Sequence, residues 1–456
     1  MILLLANRVF PQTGSPQIIS VKKSPDETRT NVDGAKPLTL SEAVDLALKQ
    51  ASNFKAAQIN EQIAAEDVRQ AKAGFYPKVS VQPNLIYTSP SFGKTETVEA
   101  SGGNITIVRS RVPSFLGANA ITEYQGLINA AGEIDVSGKL KATLEKNKAL
   151  LESARTGSEI ARRELIQSVG DAYYNLALAT TKRRGAAQNL QSAQEFESNT
   201  KLQLDAGEVA PVDLVRARLQ TAQRRDELIQ AQTEETVAAD ALKFLVGSDF
   251  NAPIAVEELL IQLPEEGEIE RYTETAVASR PEFAQFEADK KASEQDVKIA
   301  QAERKPQINY SVSGGFISDS LRPNRIGNST GVQAAVGVTI PLFDRGASRS
   351  RETQAKLKLQ QTENNKILAE RQFVQQFFAA RTQAISAASR IKQLGDSIKD
   401  AEMNVSASLA RYRAGEASIV EVTDAQNLLI AQRQSLYQAI FDYQTARARL
   451  LRAIGK

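Results

Sequence analysis

Hydrophobic residues follow two different periods along this chain. Through most of it they recur every three or four positions, as at Leu214, Leu219, Leu228 and Ile229, then Val237, Leu242 and Leu245. That is a helical period, and the stripes are narrow and rich in Ala. Such stripes suit the close seams of coiled coils better than a thick globular core. Thr39-Leu40-Ser41-Glu42 offers a cap at Thr39 or Ser41 and opens a helix, which the pattern carries to Gly74-Phe75-Tyr76-Pro77, where proline stops it. From Lys139 to Ala206 there is no proline, and Ala, Gln, Glu, Leu, Lys and Arg dominate. One helix of about 100 Å is expected there, at about 1.5 Å per residue. A second is expected from about Ala347 to Ala414, with shorter helices at about 212–246, 268–305 and 417–453. Two short helices end to end match one long helix, so pairs of them can lie along it.

Four segments alternate with a period of two instead. Ile308, Tyr310, Val312 and Phe316 alternate with Asn309, Ser311 and Ser313. Val332, Ala334, Val336, Val338 and Ile340 alternate with Gln333, Gly337 and Thr339, with Ala335 as a blemish. These runs predict strands at about 307–317 and 331–343, with Arg322, Pro323 and Arg325 at the tip between them. The first half offers about 78–88 and 123–136, less cleanly patterned and joined by a longer hairpin loop around 90–120. Nine or ten residues is the length a tilted strand needs to cross a bilayer. Four strands cannot close a barrel, however, and lipid tolerates no open sheet edge. As membrane strands they would have to be pooled between chains, and three chains give twelve. Two soluble hairpins capping a helical bundle is the alternative reading of the pattern.

The chain also repeats itself. Residues 54–77 align without a gap on 283–306, matching Phe54 with Phe283, Asp67 with Asp296, Val68 with Val297 and Pro77 with Pro306. Further on, Gly138 meets Gly346, Ala206-Gly207-Glu208 meets Ala414-Gly415-Glu416, and Val246-Gly247 meets Ile454-Gly455. The register shifts by 21 residues between the two blocks, so the first copy carries an insertion between Pro77 and Gly138. Helix breakers match as well as helix formers. The expected organisation is an irregular segment at 1–37, one repeat at 38–247, a Pro/Gly/acidic linker at 248–267 and a second repeat at 268–456.

Composition removes most chemistry. The 456 residues include no Cys, His or Trp, which excludes Cys/His metal sites, disulfides and nucleophile–His catalysis. With 56 Lys+Arg against 54 Asp+Glu, no whole-protein field recruits nucleic acid. No cofactor is expected. The stretch from Gly132 to Leu140 only approaches a phosphate-binding loop, with five residues between its glycines and Leu140 where Ser or Thr would bind magnesium. Lys182-Arg183-Arg184 and Arg224-Arg225 read as solvated helix faces. Met1 to Ala6 is apolar but short, and reads equally as an ordinary start or as the remnant of a signal peptide. A mean hydropathy of −0.32 looks soluble, yet four short strands are too few to move an average set by wet helices.

In this order the motifs resemble the TolC-type outer-membrane efflux family. The matching features are the duplication, Leu38-Thr39-Leu40-Ser41-Glu42-Ala43, Ala73-Gly74-Phe75-Tyr76-Pro77, Ile340-Pro341-Leu342-Phe343-Asp344-Arg345-Gly346, and the turns ending in Gly207 and Gly415. The resemblance covers about 38 to 455. It implies a mainly α fold with a small β part: a trimer whose strands form a 12-stranded outer-membrane barrel continuous with a helical tunnel across the periplasm. It implies a passive export duct without catalytic residues, for efflux or type I secretion, coupled through a periplasmic adaptor to an inner-membrane transporter. It places acidic rings of the periplasmic constriction at Glu421 and Asp424, and a closing tether at Asp213 and Tyr412. The family's partnering Arg falls on Ala417 here, which leaves Arg411, Arg413 or Arg216 as substitutes. The tips that meet the adaptor would be Asp205, Ala206, Gly207 and Glu208, with Ala414, Gly415 and Glu416. A periplasmic coiled-coil adaptor without its own pore is the rival reading.

Overall fold

The computed structural model describes residues 37–88, 95–101, 104–110, 122–257, 267 and 269–455. Most of the expected segment 1–37, parts of the 90–120 loop and of the 248–267 linker lie outside these residues. Two helices of 67 residues dominate, α3 (Lys139–Asp205) and α7 (Ala347–Arg413). Each is preceded by a left-handed glycine, Gly138 and Gly346, which turns the chain out of a strand. Helix α4 (Pro211–Val246) returns along α3, and α8 (Ile419–Ala453) returns along α7. The remaining length of α3 is covered by α2 (Asn53–Ala73) and α5 (Pro281–Ala302), and α5 also packs on α7.

Two of the expected helices are broken. The first splits into α1 (Leu40–Lys49) and α2. Thr39 caps α1 in a capping box with Glu42, and Ser52 caps α2 by accepting from the Lys55 amide at 3.3 Å. The break lets Gln50 pass beneath Gly247, where an added Cβ would lie 2.4 Å from Gln50 Cδ. The segment expected as one helix from 268 to 305 contains two 3-10 turns, Ile269–Arg271 and Glu274–Ser279, before α5. The cause is Pro281, which drives Arg280 into an extended conformation and then serves as the first helical residue. Arg280 is buried there, 3.8 Å above the Phe373 ring and hydrogen-bonded to Glu282 at 2.5 Å and Gln376 at 3.2 Å.

The core is thin and distributed. One cluster joins Ala43 and Ala47 of α1 to Val169, Tyr173 and Leu176 of α3 and Leu242 and Val246 of α4. The Tyr173 hydroxyl ties this cluster to the two segments that flank it, donating to the Leu38 carbonyl at 2.9 Å and accepting from the Glu257 amide at 3.2 Å. A larger cluster joins Phe377, Ala384 and Ile391 of α7 to Ile440, Tyr443 and Leu450 of α8, with Val277 against it. Alanine at so many buried positions brings the backbones close, as the narrow stripes require.

Six strands form among the described residues, two more than the pattern suggests. A four-stranded antiparallel sheet has the order β1 (Lys78–Tyr87), β4 (Thr122–Ile134), β5 (Gln307–Ser318), β6 (Thr330–Thr339). A separate ribbon, β2 (Thr95–Ser101) with β3 (Asn104–Ser110), lies within the first hairpin, where the repeat alignment placed its insertion. These strands escape the pattern because polar residues occupy much of them. The second hairpin instead holds a short helix, α6 (Pro323–Asn328).

Register places the sheet's side chains unambiguously. Val79, Val81 and Leu85 share one face with Ile128 and Ala130, with Ile308, Tyr310 and Val312, and with Val332, Val336 and Val338. Ser80, Gln82, Asn129, Asn309, Ser311, Ser313 and Gln333 share the other. The apolar face is bare: Val81 is 68% exposed and Val332 80%. Aromatic rings cover glycines on that face. A Cβ at Gly126 would lie 2.5 Å from the Phe316 ring, and one at Gly132 2.5 Å from the Tyr310 hydroxyl.

Below the sheet, Glu352 of α7 gathers Lys356 at 2.8 Å, Arg304 at 2.9 Å and Gln301 at 3.3 Å, and so fastens the end of α5. These partners, Lys356 first, pull its pKa from 4.5 down to about 2. A depressed pKa stabilises the fold above the unfolded value and loses that contribution as pH falls through the folded one. Glu352→Gln is therefore expected to destabilise the protein most above about pH 4.5. The gap to the wild type should close between there and about pH 2, as acid unfolding followed by circular dichroism would record.

The helical tips and a candidate gate

Both long helices end in the same turn. At the end of α3 the Glu208 amide donates to the Gln203 carbonyl at 2.9 Å and the Gly207 amide to Leu204 at 2.9 Å. At the end of α7 the Glu416 amide donates to Arg411 at 2.9 Å and the Gly415 amide to Tyr412 at 3.0 Å. These are paired Schellman bonds, and Gly207 (φ 79) and Gly415 (φ 77) supply the left-handed residue they need. Asp205, Ala206, Gly207, Glu208, Ala414, Gly415 and Glu416 therefore sit together at one end of the molecule, opposite the sheet, and all seven are exposed.

Pro211 starts α4, and Ser418 caps α8 by accepting from the Glu421 amide at 3.4 Å. Glu421 and Asp424 then lie three residues apart on one face of the first turns of α8. Their surroundings differ. Glu421 pairs with Arg411 of α7, whereas no ion pair or side-chain hydrogen bond reaches the exposed Asp424 among the described residues.

Asp213 and Tyr412 are brought together within one chain. Tyr412 packs its ring 5.8 Å from that of Phe196, in a cluster with Ala217, Ile419 and Val422 that joins α3, α4, α7 and α8. Burial raises the Tyr412 pKa; the Thr200 side chain partly offsets this, and the Asp213 charge adds to it. Its hydroxyl is buried beside Thr200 and finds no partner of good hydrogen-bond geometry among the described residues. Ala417, at the position of the family's Arg, packs against this cluster instead. Of the three substitutes considered, Arg411 is committed to Glu421 and to the Glu416 carbonyl at 3.4 Å. Arg216 and Arg413 are exposed.

One reading of the sequence is corrected here. Arg224 is no solvated surface cation; it is 4% exposed and hydrogen-bonded to both Glu227 oxygens at 2.7 Å and to Asn427 of α8. Beside it, Gln220 donates to Gln426 at 2.8 Å and accepts from Thr423 at 3.4 Å. The signal was present in the spacing: positions 213, 217, 220 and 224 follow a coiled-coil seam that begins at Asp213. Arg183, from the other basic cluster, is also partly covered and pairs with Glu235 at 2.6 Å.

No group of three or more His, Cys, Asp or Glu side chains that could hold a metal occurs among the described residues. No described helix is long and apolar enough to cross a membrane. A two-faced sheet on long coiled coils defines a class, the outer-membrane export ducts, and comparison with known proteins agrees. The model of the outer membrane efflux protein family matches residues 43–248 and 273–456, and the chain belongs to that family. It is 26% identical over 432 residues to protein CyaE of Bordetella pertussis, covering 93% of this chain and 85% of that one. It is 24% identical over 342 residues to the cation efflux system protein CusC of Escherichia coli K12, covering 73% of each. The crystal structure of the Campylobacter jejuni CmeC outer membrane channel superposes with a TM-score of 0.79 at 18% identity, over 91% of this chain and 85% of that one. The protein is thus an outer-membrane efflux channel, a transport duct rather than an enzyme, and the pore-less adaptor reading is set aside.

The Tyr412 ring rather than its hydroxyl carries the packing at the tip. Tyr412→Phe is expected to leave stability within about 1 kcal/mol, because the hydroxyl has only a poorly aligned contact with Thr200 to lose. Tyr412→Ala should cost about 3–5 kcal/mol, as large aromatic truncations do. Denaturant unfolding of the two variants would separate these outcomes.

Proposed function

We propose that three copies of this chain form one gated duct that carries cargo from the periplasm to the exterior, supplied by an inner-membrane pump through a periplasmic adaptor. The observation that carries this reading is the four-stranded sheet. Its edges, β1 and β6, are unpaired among the described residues, and one face is mainly apolar and largely exposed while the other is mainly polar. In water that face would be a liability; in lipid it is the required surface, with the polar face lining a wet lumen. An open edge cannot remain in hydrocarbon. An even number of antiparallel strands puts β1 and β6 in opposite directions, so β6 of one copy can pair with β1 of the next and the ring can close. Three copies give twelve strands. The apolar residues Val212, Val215, Leu219, Ile229, Val237 and Phe244 stay exposed along α4, and a neighbouring copy's coiled coils would cover them.

On this reading α3 and α7 continue the barrel as two repeats per chain, 38–247 and 268–456, and the tips at Asp205–Glu208 and Ala414–Glu416 meet the adaptor. Glu421 and Asp424 ring the constriction, and Asp213 with Tyr412 holds neighbouring coiled coils together when it is closed. The names of the relatives range from cation efflux for CusC to pyoverdine export for OpmQ of Pseudomonas putida. This chain, with no Cys or His and two Met, offers no soft-metal ligand set of its own. Choice of cargo therefore rests with the pump, and the duct contributes passage and closure.

In detergent the protein is expected to run with the mass of three chains, and a monomer by light scattering would refute the assembly. In planar bilayers the Glu421→Gln, Asp424→Asn double variant should lose cation selectivity, and Asp213→Ala should raise the open fraction. Unaltered selectivity would count against the acidic constriction, and unaltered conductance against the tether.

A further inference from the structure

The seam between α4 and α8 changes character along its length. Nearest the tips it is apolar, where Ala217 meets Ile419 and Val422 beside Phe196 and Tyr412. One turn further it becomes polar, where Gln220 and Arg224 of α4 meet Thr423, Gln426 and Asn427 of α8. Gln220 and Arg224 are 8% and 4% exposed, so these groups are removed from water and depend on one another. The seam is also tied to α3, because the buried Thr221 hydroxyl reaches the Ala193 carbonyl at 3.3 Å. Polar groups at a coiled-coil seam weaken it relative to apolar packing, but they fix register and rotation, because a slipped helix leaves them unpaired.

The place of that constraint gives it a function. Glu421, Asp424 and Asn427 follow one another at intervals of three along α8, an oblique stripe in which each is the surface neighbour of the next. Arg224 holds the third member of that stripe. Thr423 and Gln426, held by Gln220, flank Asp424 on either side in sequence. We propose that Arg224, supported by Gln220, is a positioning residue for the periplasmic gate: by clasping Asn427 it sets the rotation of α8 and aims the Asp424 carboxylate at the lumen. This rests on the reading of Glu421 and Asp424 as the acidic constriction. Since Glu421 is already paired with Arg411, Asp424 is the acid with its charge free, and its aim matters most. The clasp is distinct from the Asp213 and Tyr412 pair, which lies on the tip side of it and involves α7.

The test uses the full-length trimer in planar bilayers, with the trivalent cobalt hexaammine cation added from the periplasmic side. Arg224→Met is expected to weaken block roughly tenfold, the equivalent of about 1.4 kcal/mol. Asn427→Ala should do the same, and the double variant should add little to either, as coupled residues do. Arg224→Lys should recover part of the affinity. A merely structural Arg224 would lower thermal stability and leave the block constant unchanged, and that result would overturn the proposal, as would fully additive effects of the two substitutions. Should Arg224→Met fail to assemble, Asn427→Ala alone decides, since it exposes no buried charge partner beyond Arg224 itself. Asp424→Asn separates the two levels. If it leaves block unchanged, the acidic-constriction reading fails; if it abolishes block while Asn427→Ala does not alter it, only the clasp fails.

Discussion

Everything in this molecule follows from the obligation of backbone amides and carbonyls to find partners. Water supplies partners along the helices' ends and turns, but nothing in hydrocarbon does. The four-stranded sheet pairs β1 with β4, β4 with β5 and β5 with β6, and among the described residues its two outer edges are left unpaired. A chain that must put such a sheet into lipid cannot be complete alone. The proposed closure between copies accounts for its even strand count, its two chemically distinct faces and its continuity with helices on one side.

The helices answer a different requirement. A tunnel wall has water on its inner side and much of its outer side, so no thick core is available. Stability has to come from close approach along narrow seams, which explains Ala384, Ala387, Ala439 and Ala446 at fully covered positions. Where larger side chains are buried, they gather in three places: the waist around Leu176 and Leu242, the flank around Phe377 and Ile440, and the tip around Phe196 and Tyr412. Between these places the seams are lightly packed, and polar bonds such as Gln220–Gln426 decide alignment instead.

Much of this was legible in the sequence, for physical reasons. A proline-free run of good helix formers can hardly be anything but the long helices, and both ended within a residue of Ala206 and Ala414. Alternation identified β5 and β6 because apolar and polar positions there are sharply separated. What escaped was set by tertiary contacts. The break at Gln50–Ser52 sets Gln50 under Gly247, and Arg280, extended ahead of Pro281, lies over Phe373. β2 and β3 carry too many polar residues for their pattern to speak. At the tips, spacing put Glu421 and Asp424 on one face, but only the fold shows that Arg411 takes one of them. Arg224 was misread because a pair of adjacent basic residues resembles surface, although only its neighbour Arg225 points outward, at an exposed position.

The Schellman turns at the two tips satisfy their carbonyls with backbone amides alone, Glu208 to Gln203 and Glu416 to Arg411. Only Gly207 and Gly415 are demanded by the geometry; the identities of Asp205, Ala206, Glu208, Ala414 and Glu416 are left undetermined by it. If these tips meet the adaptor as proposed, their recognition chemistry can drift without any refolding. A lineage could retarget the duct to a new partner by exchanging a handful of loop side chains, while the architecture that holds them stays the same.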